Sequence, residues 1–597
     1  MSTRGSFGPG SRTGGLRTIA RTAWLAAGAA GLALALSTSG CRTARPAPVT
    51  EPETLPVYRL AVPVVNEPRA ADLARRIFGA EGETRRSRAG FSSRAGDDFV
   101  ELCAVSGGVW AADEAQLWNL QVMPRLPGPA EAVGIATEFL QRAGLRPMDK
   151  EPLAVAAVPT VGGSKLAHVE LPGGARNDFD LDRAVTWTAR VRTGSGEQAR
   201  EWSVVGGGDE VRVTVGEGGR VIGYSGTWRD VAGVETESRL IPRATADQEF
   251  RELTRALKVR EFDSTLAYYA APFGDEQEFL YPVRVYSATA DVDGHVVPLR
   301  RILLPATEFG PKPKVPPPPP ARTDRDTPMR RATEPEGPEE HGSDGSQYIL
   351  GMPPPGARAS WMECGASYIG LSGGLSGSAA NAAGFVSELQ SDAWTRNFQW
   401  GDAAAWESDW RVHDDEWVDT ADFVFYTGHA SLDGWVLSRP DDSWLDASEV
   451  GGNVPRDLWG SQDCEWIVVA ASGPLQDDAI SPGGGDVFRR WGGAFDGLHQ
   501  LLGYGAITYD NEDEGKRVVQ YVRDGQTLLH AWFRAAQEIQ PSTNGALAPD
   551  GPDVWVGVMY PTRTGGGDVG ADHIWGAGVV APDPVPNDGW VAIWSTT

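Results

Sequence analysis

Phe423-Val424-Phe425-Tyr426-Thr427-Gly428-His429-Ala430-Ser431 and Trp466-Ile467-Val468-Val469-Ala470-Ala471-Ser472-Gly473-Pro474-Leu475-Gln476 share one plan. Each is a short apolar run closed by a glycine turn. Runs of this kind read as buried strands of a parallel sheet. In open α/β sheets, reactive groups collect beyond the carboxyl ends of the strands. His429 and Ser472 are therefore expected at neighbouring strand ends, on one rim.

Further pieces surround these two turns. They are Trp400-Gly401-Asp402, Trp417-Val418-Asp419, Gly428-His429, Gly473-Pro474-Leu475-Gln476 and Ala494-Phe495-Asp496-Gly497-Leu498-His499-Gln500-Leu501-Leu502-Gly503-Tyr504. The ordered set resembles the His/Cys dyad region of the caspase-like peptidases, including gingipain and clostripain relatives. Its wider context is similar to an uncharacterised group of bacterial domains within that fold. The resemblance covers roughly residues 350 to 597 and implies a caspase-like α/β domain with peptidase-type chemistry.

At the nucleophile position that pattern has a cysteine, and this chain has Ser472. A thiol of pKa about 8.5 is partly ionised near neutrality and is activated by a nearby imidazole. A serine hydroxyl is a far weaker acid and needs a well-oriented base. In the catalytic reading, His429 takes the proton of Ser472 as it attacks a carbonyl, and the Gly473 amide holds the oxyanion. Gly428 and Gly473 let substrate approach the backbone. Asp433 or Asp422 is the candidate to orient His429. Two readings stand. One is a degenerate site that binds a peptide or protein ligand without turnover. The other is an active serine-type peptidase or other acyl hydrolase. Cys464 precedes the second strand, so it falls at the opposite edge from His429.

The N-terminus carries Arg4, Arg12, Arg17 and Arg21, an apolar stretch from Trp24 to Leu36, and Ser37-Thr38-Ser39-Gly40-Cys41. Basic residues, a short apolar core and small residues at a cut site make a secretory signal over residues 1–41. The ending resembles a bacterial lipobox, with Cys41 the lipidated residue. Thr38 replaces the usual leucine, so ordinary signal-peptidase cleavage is the alternative. The apolar stretch is shorter than the roughly 20 residues a membrane span needs. The expected location is the bacterial cell envelope, lipid-anchored or secreted, with the membrane met only through the N-terminal lipid.

Residues 42–56 read as a tether. Residues 57–308 show a loose repetition of helix followed by half-buried antiparallel strands, as in Val211-Arg212-Val213-Thr214-Val215. The phrase Gly218-Gly219-Arg220-Val221-Ile222-Gly223-Tyr224 looks like small bacterial propeptide-type modules, which would imply binding or inhibition. Packing modules that present the C-terminal domain are the other reading. Residues 309–346 are a proline-rich and acidic linker, with Pro316 to Pro320 an extended rod. Residues 347–597 are the C-terminal domain. Within it, Phe495 to Leu502 is expected to be a helix. The expected fold class is multidomain: N-terminal α+β modules, then an α/β caspase-like domain with a mostly parallel sheet.

The formal net charge of −26 leaves no basic stripe for nucleic acid. Beyond Cys41, the cysteines are Cys103, Cys364 and Cys464. A Cys364–Cys464 disulfide and free buried thiols are both open. No Cys/His cluster has zinc spacing. The acidic cluster Asp409, His413, Asp414, Asp415, Glu416, Asp419 and Asp422 offers oxygen ligands for calcium, against a default of solvated loops. Asp510 to Gly515 begins like a calcium loop, but Tyr521 stands where that loop needs glutamate. Tryptophan is abundant after residue 390, mostly as expected core, with Trp435 and Trp444 placed to line a groove beside His429.

Overall fold

Nine strands make the sheet that carries the candidate site. They are β1 (Ser164–Glu170), β2 (Arg176–Asp180), β3 (Glu363–Tyr368), β4 (Thr395–Gly401), β5 (Phe423–Thr427), β6 (Trp466–Ala470), β7 (Gln500–Tyr504), β8 (Trp555–Thr562) and β9 (Gly589–Thr596). The computed structural model describes residues 51–597 except 80, 146, 148, 171–173, 197–198, 209, 311–321, 323–361, 440–441, 452–457, 545–552, 563–567 and 585–588. The expected signal segment with Cys41, the tether up to residue 50 and most of the proline-rich linker lie outside the described residues.

The strand order is β4-β3-β5-β6-β7-β8-β9-β1-β2. From β4 to β7 neighbouring strands run parallel, and from β7 to β2 they run antiparallel. A second sheet of sixteen strands, nearly all antiparallel, is built from residues 54–305. The chain is mostly β-sheet. This corrects the expected fold class. Separate α+β modules followed by a mostly parallel α/β domain do not describe it. The C-terminal sheet is mixed, and its last two strands come from the N-terminal half.

The physical reason is visible in β9. All eight of its residues are buried, so its outer edge cannot face water with unpaired N–H and C=O groups. Ser164–Glu170 covers that edge over seven register pairs, with Ala167 opposite Ala592. A two-residue period says that a strand is half buried. It does not say which sheet receives it.

A second local correction concerns residues 495–502. A strand begins at Gln500 where a helix was expected. Gly497 takes φ +114°, outside helical space, and a Cβ there would meet the Gly460 carbonyl. The turn at Gly497 instead feeds an all-buried strand.

Helices Ser378–Gln390, Glu514–Arg523 and Leu528–Ile539 pack on the sheet. Phe385 meets Phe423 edge to face at 4.8 Å and stacks on Phe425 at 5.0 Å. The span from Glu514 to Ile539 is broken at Gly525, φ +95°, and restarts with the Thr527 hydroxyl accepting the His530 amide. Buried ion pairs tie the two sheets. Arg534 on the last helix bonds Glu101 of the larger sheet and Glu538 on its own helix, the latter at 3.0 Å. Residues 53–597 form one unit by this continuity.

Placing a carboxylate at the β1–β9 seam tests this arrangement. Ala167→Glu buries an unpaired charge where Ala167 is fully enclosed. It should lower unfolding free energy by roughly 3 kcal/mol or more. Urea unfolding followed by tryptophan fluorescence reports it, and an unchanged midpoint would contradict the seam.

Candidate active site

β5 and β6 are hydrogen-bonded neighbours, in register from Phe423 opposite Trp466 to Thr427 opposite Ala470. Their carboxyl ends therefore bring the Gly428-His429 and Ser472-Gly473 turns to one edge. The two side chains are not bonded to each other there. His429 and Ser472 are both fully buried.

Both ring nitrogens of His429 have partners. Nε2 lies 2.7 Å from the Gly373 carbonyl, which can only accept, so Nε2 carries the proton. Nδ1 accepts the Arg300 backbone N–H at 3.1 Å. The imidazole is thus a fixed neutral tautomer with neither nitrogen directed to Ser472. Burial pushes its pKa down to about 4, helped by the Arg300 charge and opposed by the Gly373 bond. Ser472 Oγ accepts the Thr508 amide at 3.1 Å and lies 3.4 Å from Thr508 Oγ1.

Arg300 seals the edge, and sequence reasoning missed it. Its guanidinium donates to Thr427 Oγ1 at 3.0 Å, the Ala470 carbonyl at 2.8 Å and the Tyr509 carbonyl at 2.6 Å. It also lies 3.4 Å from Glu514 Oε2. The side chain has no solvent exposure. Next to it, the Arg301 amide donates to the Thr508 carbonyl at 2.8 Å. The signal in the sequence was Arg300-Arg301 set between Leu299 and the apolar Ile302-Leu303-Leu304.

The other predicted residues fall as follows. Gly428 is needed because a Cβ would strike the Tyr426 hydroxyl at 2.2 Å. Gly473 takes φ +93° and opens a turn in which its carbonyl accepts the Gln476 amide at 2.9 Å. Asp433 is exposed, and its backbone carbonyl accepts the Ala447 amide. Asp422 is buried at the opposite end of β5, where its carboxylate accepts the Glu363 amide at 2.5 Å. Neither carboxylate is bonded to His429. The groups that do orient the ring are Gly373 and Arg300. Trp435 and Trp444 are buried. Trp435 stacks on Trp459 and Trp491 at 5.8 and 5.2 Å, and Trp444 stacks on His295 at 4.9 Å.

The acidic motif residues hold loops. Asp402 Oδ1 accepts from the Gly370 amide, the Ser372 amide and the Ser372 hydroxyl at 2.7–2.9 Å. It thereby fixes the loop that presents Gly373 to His429. Asp419 accepts from the Gly460 amide, Ser461 Oγ and the Gln462 amide, and burial pushes it up to about 7 against those bonds. At the edge away from His429, oxygens of Glu363, Asp422 and Asp463 lie within 4.8 Å of one another. Asn511 Oδ1 accepts the Asp513 and Glu514 amides, so the Asp510 to Gly515 run opens a helix. Cys103, Cys364 and Cys464 are free, buried thiols. Burial first, then neighbouring carboxylates, pushes Cys364 up to about 12 and raises Cys464 well above its ordinary value.

A second histidine was also overlooked as a site residue. His499, just before β7, bonds Asp572 through Nδ1 at 2.5 Å, with Asp583 3.4 Å from Nε2. Burial opposes its charge, but Asp572 and Asp583 outweigh it and push His499 up to about 9.

Residues 362–596 match the model of a family described as a domain of unknown function, DUF6345. Among solved structures, the chain is similar to an uncharacterised protein from Eubacterium rectale ATCC 33656. The identity is 11%, with 43% of this chain and 85% of that chain covered, at a TM-score of 0.25. That likeness is too slight to fix the fold. No curated protein matches the chain. Neither description names a peptidase.

The buried neutral imidazole has a pH signature. His429 has a folded pKa of about 4 and an unfolded one of about 6.5. The unfolded chain therefore binds the proton first on acidification. The stability is fully present above about pH 6.5 and is lost progressively toward pH 4, by up to roughly 3 kcal/mol. His429→Gln, which keeps a donor for Gly373, should lose less stability than wild type between pH 7 and pH 5. Melting temperatures of the two proteins across that range measure the difference, and parallel curves would refute the neutral tautomer.

Proposed function

We propose that this is an exported, lipid-anchored envelope protein whose caspase-like peptidase motifs have been retained for binding rather than turnover. The observation that carries the reading is the sealing of His429. A general base must present a lone pair to the hydroxyl it deprotonates. The one lone pair of this imidazole is taken by the Arg300 amide. Ser472 is spent on Thr508, with no exposure to a substrate. A serine without a base stays a poor nucleophile at neutral pH.

The residues that the resemblance singles out have structural tasks instead. Gly428 makes room for Tyr426, Asp402 fixes the Gly373 loop, and Asp419 fixes the turn before β6. Such a domain presents loops at its surface to a peptide or protein ligand. The acidic chain makes nucleic acid an unsuitable partner. Among the described residues, no helix is long and apolar enough to cross a membrane. The membrane attachment proposed here is through Cys41.

A fluorophosphonate probe applied to wild type and Ser472→Ala tests the absence of turnover. Neither protein should be labelled, and Ser472→Cys should gain no reactivity toward peptide thiol probes. Labelling of wild type that Ser472→Ala abolishes would establish the serine hydrolase instead. Anchoring is tested separately. Wild type expressed with radioactive palmitate in a bacterial host should carry label and sediment with membranes, and Cys41→Ser should do neither. Label retained by Cys41→Ser would rule out the lipobox.

A further inference from the structure

Residues 400–417, which begin at the carboxyl end of β4, build a second enclosed site. Trp400 ends β4, Trp406 follows it, Asp409 sits in the short turn Glu407–Trp410, and Trp417 closes the segment. The guanidinium of Arg322 lies inside. Its central carbon is 4.0 Å from the Trp406 ring centroid and 4.7 Å from those of Trp400 and Trp417. Its two terminal nitrogens pair with the two oxygens of Asp409, one of them at 2.8 Å. Nη1 also lies 3.4 Å from the Ala404 carbonyl. The Arg322 side chain is 3% exposed and that of Asp409 1%.

The walls also have contacts of their own. Trp400 and Trp417 meet edge to face at 5.5 Å. The Trp406 indole donates to the Ala403 carbonyl at 3.0 Å. The segment is clipped to residue 438 by the Ser438 amide to Ala405 and by the Glu407 amide to Ser438. Glu407 in turn pairs with Arg411 at 2.6 Å. All four recognition side chains come from one short stretch, whereas Arg322 comes from far earlier in the chain.

We propose that Trp400, Trp406, Trp417 and Asp409 form a guanidinium-binding site, which Arg322 fills in cis and for which an external guanidinium ligand competes. The chemistry selects this class. Indole faces attract any cation, but a buried carboxylate needs donors. A quaternary ammonium has none. A lysine-type ammonium is a strongly hydrated point charge without the planar fork. A guanidinium stacks on the rings and saturates both carboxylate oxygens together. The external source is either a small guanidinium compound or an arginine side chain of a peptide. The site does not rest on the reading of His429 and Ser472, and stands or falls apart from it.

The test uses the full chain with Arg322→Ala, which empties the pocket. Agmatine, titrated by calorimetry and followed by tryptophan fluorescence, should bind this variant at least roughly tenfold more tightly than wild type. Butylamine, which keeps the alkyl chain and loses the guanidinium, should bind at least roughly tenfold more weakly than agmatine. Adding Asp409→Asn to Arg322→Ala should abolish agmatine binding. A blocked Gly-Arg-Gly peptide distinguishes the sources. Binding of agmatine alone assigns small guanidinium compounds, and binding of the peptide as well assigns arginine side chains. If Arg322→Ala does not fold, Arg322→Lys replaces it, and agmatine should raise its melting temperature while leaving that of wild type unmoved. No saturable agmatine binding to the emptied site, equal binding by wild type, or equal binding of butylamine would each overturn the proposal.

Discussion

A guanidinium with no exposed surface governs how the two sheets meet. Arg300 enters from the N-terminal half and donates to groups at the ends of β5 and β6 and to the Tyr509 carbonyl. Strand-end carbonyls in a sheet interior must find donors, because water is absent there. Its charge is balanced through Glu514, which also accepts from Tyr504 Oη at 2.7 Å, Gln540 Nε2 at 2.7 Å and Asn381 Nδ2 at 3.1 Å. Gln540 in turn accepts the Tyr509 amide at 2.8 Å. A connected network of this kind is worth keeping only when its members are satisfied together. Removing one partner of a buried pair typically costs about 3–5 kcal/mol, because the other charge is left stranded.

The same contact decides the chemistry of the sheet edge. In an open α/β sheet the rim beyond the strands is where a substrate would arrive. Here the backbone of residues 300–301 lies across that rim. Arg300 meets His429, and Arg301 meets Thr508, which holds Ser472. The imidazole becomes a buried hydrogen-bonding spacer, neutral at physiological pH. His499, at the other end of the sheet, has the opposite character. It faces Asp572 and Asp583 and retains its proton well above neutrality. Two histidines of one sheet thus differ by their partners, not by their degree of burial.

Much of the local architecture was legible. Apolar runs such as Phe423-Val424-Phe425-Tyr426 and Trp466–Ala470 read as buried strands, and their adjacency put two glycine turns at one edge. What pattern could not carry was partnership at long range. β1, Ser164–Glu170, carries no clean two-residue alternation, with Leu166 and Ala167 both buried, and nothing in residues 164–170 announces that β9, more than 400 positions away, is its neighbour. Arg300 is hidden for the same reason. A pair of arginines beside a short apolar run reads as a solvated turn until a second segment closes over it. Residues 495–502 misled in a simpler way. Their apolar spacing suits a helix, while Gly497 and its contact with Gly460 require a turn into a strand.

The acidity of the chain also acquires a structural meaning. Asp402, Asp419 and Asp477 are buried, and each accepts several donors from one loop or turn. For Asp477 the loop donors are the Ala479 amide at 2.8 Å and the Val487 amide at 3.0 Å, and Arg176 from β2 pairs with the same carboxylate. A carboxylate has two oxygens and accepts only, so it satisfies several backbone N–H groups at once where a loop has no sheet partner. Burial works against the ionised form of such a group, and the donors work for it. Asp409, like Asp477, pairs both oxygens with an arginine from outside its own segment, and of these four carboxylates Asp409 does so between three indole faces. A loop-holding carboxylate needs no aromatic walls, and the presence of three is what separates a recognition pocket from another turn.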